Sequence, residues 1–380
     1  MKGNQVPRFD PQLSQEFGML LEHHRSQPGI TFAEHLTSLE EDMAREVLGK
    51  VRVYLDLRYW IYLRDASWGT PQRDIHSQLL KVLINGVNKG NVICPITDSV
   101  FFELDRQGNT ERRIRTVRMI DQLSRGAVIK NAVERLHCEV IDFLQAASVR
   151  KEPVKYPCRH VWVRPYSFLG TPTITGLPEA EQLAINKAFI SYMWTRSLEE
   201  LLTDTLVPDD DWDTRFRESA KRITESSARH ESDMRSFPQV FDAEVGGFVD
   251  LHRAVIFHAF QQHITTMFGA SDGSITAENC ANVVYHVIKR KRAGVEFPLI
   301  RIVSGLHAFI RWNRKRSFEF QDFFDIYHAA AAIPYCDIFL TERFLKTACT
   351  NRLLNFANTF ETQIISDEAE ALDTISQLVK

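Results

Sequence analysis

Four acidic side chains fall where an α/β chain can use them together. Asp56 closes the β-type run Val51-Arg52-Val53-Tyr54-Leu55. Glu103 lies in the helix after a second short strand, Asp325 lies toward the start of a helix that leads into a further strand, and Glu342 directly follows that strand. In a parallel sheet, ligands bind outside the carboxyl ends of the strands, so all four acids are expected near one edge. Crowded carboxylates repel one another unless a cation sits among them. Oxygen-only ligands suit Mg²⁺ or Mn²⁺, and such an ion activates water and neutralises charge at a phosphodiester under in-line attack. Metal-dependent phosphodiester hydrolysis is therefore the expected chemistry.

Charge elsewhere in the chain is unevenly placed. Residues 198–250 hold 14 Asp and Glu against 6 Arg and Lys, whereas residues 280–316 hold 9 Arg and Lys against a single Glu. The basic block contains Lys289-Arg290-Lys291-Arg292 and the group Arg311, Arg314, Lys315 and Arg316, directly upstream of the Asp325 helix. The latter four are candidate phosphate contacts, with Arg112, Arg113, Arg115 and Arg118 as an extension of the track. Contacts of that kind supply salt-dependent affinity rather than sequence choice. The opposite charge of the two stretches also suggests that 198–250 covers 280–316 and restrains the enzyme.

The elements that must position the acids can be read from periodicity. Residues 1–50 read as helical, with a break at Pro28-Gly29. After the strand at 51–55, a helix is expected over Asp74–Asn88, a strand at Val92-Ile93-Cys94 and a helix capped by Thr97 or Asp98. A helix from Thr110 stopped by Gly126 and a third strand at Ala127-Val128-Ile129 follow. This alternation predicts a parallel sheet. It stops over 131–317, which reads as mainly helical, and resumes near Phe318 with a helix ending at Pro334, the strand Ile338-Phe339-Leu340, a last strand at 362–365 and a helix over 367–378. The expected architecture is one α/β domain in two parts, 51–130 and 318–380, split by a long helical insertion (131–317) and preceded by an N-terminal helical segment (1–50).

Composition limits the alternatives. The 380 residues carry a formal net charge of −3, with 44% apolar and 25% charged side chains, values typical of a globular chain with a sizeable core. No apolar run reaches the length of a membrane span, so no membrane partner is expected. The six cysteines lack CxxC spacing and read as reduced thiols. The start, MKGNQVPRFDPQLSQ, lacks the apolar region of a secretory signal. Both readings point to the cytoplasm.

These residues resemble a known family. Val53-Tyr54-Leu55-Asp56 followed by Tyr59-Trp60-Ile61 looks like the opening strand, Asp and helix of PIN-domain nucleases. Cys94-Pro95-Ile96-Thr97 running to Phe101-Phe102-Glu103-Leu104 is similar to their second motif. The segment from Asp325 through Ala329-Ala330-Ala331-Ala332 to Ile338-Phe339-Leu340-Thr341-Glu342 is similar to their third, and 362–378 to their final strand and helix. The resemblance covers 51–130 and 318–380 and leaves 131–317 aside. It implies a PIN-like parallel sheet, Mg²⁺ or Mn²⁺ held by Asp56, Glu103, Asp325 and Glu342, and cleavage of RNA, single-stranded or structured, with DNA as a further candidate polymer. Family members more often carry Asn or Ser where this chain has Arg58, and Asp where it has Glu342 and Arg343. Asp337 and Asp322 are rivals for the fourth acid.

Several local signals have plainer readings. An acid after a strand is commonly a helix cap, and His328 reads as a packing histidine rather than a general base. Asp272-Gly273-Ser274 lacks the upstream acids of a calcium loop. A haloacid-dehalogenase-like phosphatase needs Asp at position 58, and a P-loop enzyme needs GxxxxGK[ST], which is absent. The expected function is thus a metal-dependent endoribonuclease, in the setting of a toxin, a defence effector or RNA processing. The alternative is a catalytically silent PIN-like scaffold that binds RNA or a protein. The insertion is available for substrate choice, a protein partner or a contact between copies of the chain.

Overall fold

Val51–Leu55 (β1) combines β-branched, aromatic and leucine side chains, and its last three residues are fully buried. Such a run suits a strand covered on both faces. It forms the middle of a four-stranded parallel sheet in the computed structural model, which describes residues 11–106, 108–150, 159–170, 174–204, 212–229, 235–269, 273, 275–291, 294–313 and 316–379. The other strands, in chain order, are Val92–Ile93 (β2), Val128–Ile129 (β3), Trp162–Val163 (β4), Ile338–Leu340 (β5) and Gln363–Ile365 (β6). The sheet order is β2-β1-β5-β6. Val53 pairs with Ile338 and Leu55 with Leu340, so β1 and β5 end together. The Asp56 N–H continues the ladder by donating to the Leu340 carbonyl at 3.1 Å.

β3 departs from the expected parallel pattern. It pairs antiparallel with β4 and meets the β2 side of the sheet only through a parallel bridge between Ile96 and Val128. The physical reason is its length. Two residues offer few ladder bonds, Asn131 caps a helix immediately afterwards, and β4 satisfies the edge that is left.

The described residues of 131–317 are mainly helical, as expected, and include the short strand β4. They are not a separate lobe. Leu136, Val140, Ile256, Val284, Leu299 and Leu306 share one buried cluster with β1, β2 and β5. The N-terminal helices Pro11–Arg25 and Phe32–Leu48 are present, and the second begins with a Thr31–Glu34 capping box. The helix Phe320–Tyr335 buries Ala329–Ala332, whose small side chains permit close approach to its neighbours, and Pro334 lies in its last turn. Helices Leu57–Ser67 and Arg343–Thr350 follow β1 and β5 directly. Among the described residues, no helix is long and apolar enough to cross a membrane.

Candidate functional site

β1 delivers Asp56 to the carboxyl edge of the sheet, where it becomes the N-cap of the helix Leu57–Ser67 and accepts from the Tyr59 N–H at 3.2 Å. The residue is only 8% exposed. Its carboxyl group is pushed up to about 6, chiefly by burial, and further by Glu103. His328, the Tyr59 N–H and the Thr341 hydroxyl draw it back. β5 ends beside it, placing Thr341 and Glu342 at the same edge. Thr341 is buried, and its hydroxyl lies against the Asp56 carboxyl.

Asp325 lies on the helix Phe320–Tyr335 and is half-buried. Its carboxyl is pushed up to about 8. Burial is the largest cause, followed by Glu342. Asp56 and Glu103 raise it further, and His328 opposes them. The four acids therefore share one electrostatic environment. Among the described residues, none of the four is ion-paired to Lys or Arg, and Glu103 has only His328. Asp98, at the first position of the Glu103 helix, also feels His328 and is raised by burial.

The rivals for the fourth position lie elsewhere. Asp337 precedes β5 and forms a two-pronged ion pair with Arg52, with Nη2 to Oδ1 at 2.6 Å and Nε to Oδ2 at 2.9 Å. Asp322 completes a capping box by accepting from the Glu319 N–H at 2.7 Å, and it also accepts from Arg316 at 2.5 Å. Of the three candidates, Glu342 is the one whose charge acts on Asp325. Arg58 does not enter the cluster. It donates to the Tyr62 hydroxyl at 2.7 Å and to Glu368 at 3.2 Å.

His328 is buried, in keeping with a packing histidine, and both of its ring nitrogens are also hydrogen-bonded. Nε2–H donates to Glu103 Oε2 at 2.7 Å, while Nδ1 shares a hydrogen bond with the Tyr54 hydroxyl at 2.7 Å. Tyr54 is in turn 2.9 Å from Thr97 Oγ1. Burial works against the imidazolium, but Glu103, Asp56 and Asp325 outweigh it and raise the His328 pKa. The signal was present in the spacing, since residues three apart share a helix face. Tyr54 and Asp56, two apart on a strand, likewise share one face.

The expected phosphate contacts are largely engaged within the protein. Arg311 is ion-paired with Glu244 at 2.8 Å, a contact that joins the acidic and basic stretches. Arg316 pairs with Asp322 and lies over the Phe344 ring. Arg314 and Lys315 lie outside the described residues, as do Arg292, Asp272 and Ser274. On the helix Thr110–Ser124, Arg115 pairs with Glu111 and lies over Trp68, and Arg118 pairs with Glu199.

The donor set is hard oxygen with excess negative charge, which fits Mg²⁺ or Mn²⁺ in chemistry. Among the described residues, however, no group of three or more His, Cys, Asp and Glu closes to metal-holding distance. Asp56 accepts from the Tyr59 N–H, and one oxygen of Glu103 accepts from His328. No family model, curated protein or solved structure matches this chain.

Proposed function

We propose that this chain is a divalent-metal-dependent endoribonuclease of PIN-like build. The observation that carries the reading is the position of Asp325. It stands on a different element from Asp56, Glu103 and Glu342, and its carboxyl is held up to about 8 by burial and by the charge of those neighbours. Among the described residues no Lys or Arg neutralises them. A fold gains nothing in stability from unpaired, part-buried acids, so a function that needs their charge explains them better than packing does.

In this reading Asp56, Glu103, Asp325 and Glu342 would hold Mg²⁺ or Mn²⁺. When bound, the ion supplies charge neutralisation at the phosphodiester and activates water. The chain's own part is to gather and hold the acids. Asp325 gives up its carboxyl proton as the site loads, Asp56 stays anchored by the Tyr59 N–H, and His328 keeps Glu103 turned inward. No side chain is required as a nucleophile. RNA as the polymer rests on the resemblance to PIN-domain nucleases.

The silent-scaffold reading is favoured by one observation, the failure of the acids to close on a common point. Comparing wild type with Asp56→Asn and Asp325→Asn on RNA and on DNA, with Mn²⁺ and with chelator, separates the two. Mn²⁺-dependent RNA cleavage lost in both variants supports the nuclease. Cleavage retained in either variant rejects the site, and no cleavage by wild type leaves the scaffold.

A further inference from the structure

We propose that His328 is a positioning residue for the carboxylate site, holding Glu103 in place through the buried chain Thr97–Tyr54–His328–Glu103. The inference rests on the metal-site reading given above. Its support is the placement of the links, because each lies on or next to an element that delivers an acid. Tyr54 is on β1, two residues before Asp56. Thr97 sits at the N-cap of the helix Asp98–Asp105, which carries Glu103. His328 is three residues after Asp325 on the helix Phe320–Tyr335. The chain of hydrogen bonds, at 2.9, 2.7 and 2.7 Å, therefore ties together the three segments whose acids must meet.

Glu103 needs such a hold. Its side chain is 14% exposed, it has three rotatable bonds, and Asp56 and Asp325 repel it. Without a partner it relieves that repulsion by turning toward solvent. The His328 bond fixes Oε2 and leaves Oε1 for the site. The direction of that bond does not depend on the charge state of the ring, because a carboxylate can only accept and Nε2 must therefore carry the hydrogen. Ligating carboxylates commonly depend on such outer hydrogen bonds for their orientation.

His328 has no route to act on substrate itself. Its side chain is 2% exposed, and both ring nitrogens are engaged. It acts through Glu103, which separates it from a general base. A packing histidine, by contrast, would lose only apolar contact when replaced.

The test is calorimetric Mn²⁺ titration of the full chain at fixed pH, with near-ultraviolet circular dichroism as a check on folding. His328→Leu is expected to weaken Mn²⁺ binding about 10–100-fold. His328→Gln, whose amide N–H can still reach Glu103, is expected to restore affinity to within a few-fold of wild type. A folded His328→Leu protein that binds Mn²⁺ as wild type does overturns the proposal, and so does a His328→Gln protein no better than His328→Leu. If His328→Leu fails to fold, Tyr54→Phe carries the test. It keeps the ring and removes the two bonds of the Tyr54 hydroxyl, to Thr97 and to His328, while leaving the His328–Glu103 bond its partners, so weaker binding is expected and unchanged binding overturns the proposal. A wild-type protein that binds no Mn²⁺ removes the metal-site reading and this inference together, a result distinct from wild-type binding that His328 does not affect.

Discussion

Glu342, just beyond the end of β5, acts on Asp325 from across the site, and its repulsion is second only to burial in raising the Asp325 carboxyl to about 8. The pair thus couples the helix that precedes β5 to the residue that follows it.

The consequence for stability has a definite sign. The folded value of about 8 lies above an unfolded Asp value of about 3.9. The stability that this group contributes is therefore fully present below pH ~4 and is lost as pH rises through 8. In chelator, wild type should lose stability relative to Asp325→Asn across that window, with a limiting slope of about 1.4 kcal/mol per pH unit for one proton. Thermal melts of both proteins from pH 5 to 8 check this. Parallel curves would show that Asp325 is not strained by its neighbours.

Mn²⁺ should reverse the loss. At a concentration of about 100 Kd, a ligand specific to the folded state adds ~2.7 kcal/mol, so wild type should melt several degrees higher than in chelator. Loading should also release protons at pH 7, because Asp325 must ionise. Asp56→Asn and Asp325→Asn should show neither effect. Proton release can be measured by titrating in buffers of different ionisation enthalpy.

Arg58 should matter to stability and not to catalysis. It reaches away from Asp56 toward Tyr62 and Glu368, and Glu368 retains Arg73 at 2.6 Å. Its side chain is 41% exposed, and partly exposed ion pairs are worth about 0–1 kcal/mol. Arg58→Ser should lower the melting temperature by a few degrees at most and leave Mn²⁺-dependent cleavage within about twofold, a small barrier change. A large gain in rate would show that the arginine restrains the acids.

Glu139 offers a test of the shared core. It is fully buried on the helix Ala132–Gln145, accepts from the Tyr335 hydroxyl at 2.6 Å and receives the Leu299 N–H at 3.1 Å. It thereby binds the long insertion to the helix that carries Asp325. Glu139→Ala leaves both donors unsatisfied and opens a cavity, for an expected cost of about 2–4 kcal/mol. Glu139→Gln, which keeps an acceptor, should cost less. Equal denaturation midpoints for the two variants would contradict this account.

Much of the carboxylate edge was legible because its signals are local. A short apolar run followed by an acid identified Asp56 and Glu342, and helical periodicity located the segments around Glu103 and Asp325. The direction of β3 was not legible, since two residues carry no register information. The partners of Arg311 and Arg316 were also hidden. A basic run looks the same whether it faces solvent or, as with Arg311 and Glu244, closes an internal ion pair. The partners of His328 were hidden for a related reason. The spacing from Asp325 put it on the same face, but Tyr54 and Glu103 join it only after distant segments have packed.

The pairing of β1 with β5 also bears on when the molecule becomes competent during synthesis. Val53, Tyr54 and Leu55 must wait for Ile338, Phe339 and Leu340 before that ladder exists, and Asp56 and Glu103 emerge from the ribosome long before Asp325 and Glu342. A nascent chain halted anywhere in 131–317 has only half of these acids and lacks the strand that pairs with β1 to gather them. On the proposed reading, the site for cutting RNA is therefore assembled only after residues 318–342 have been translated.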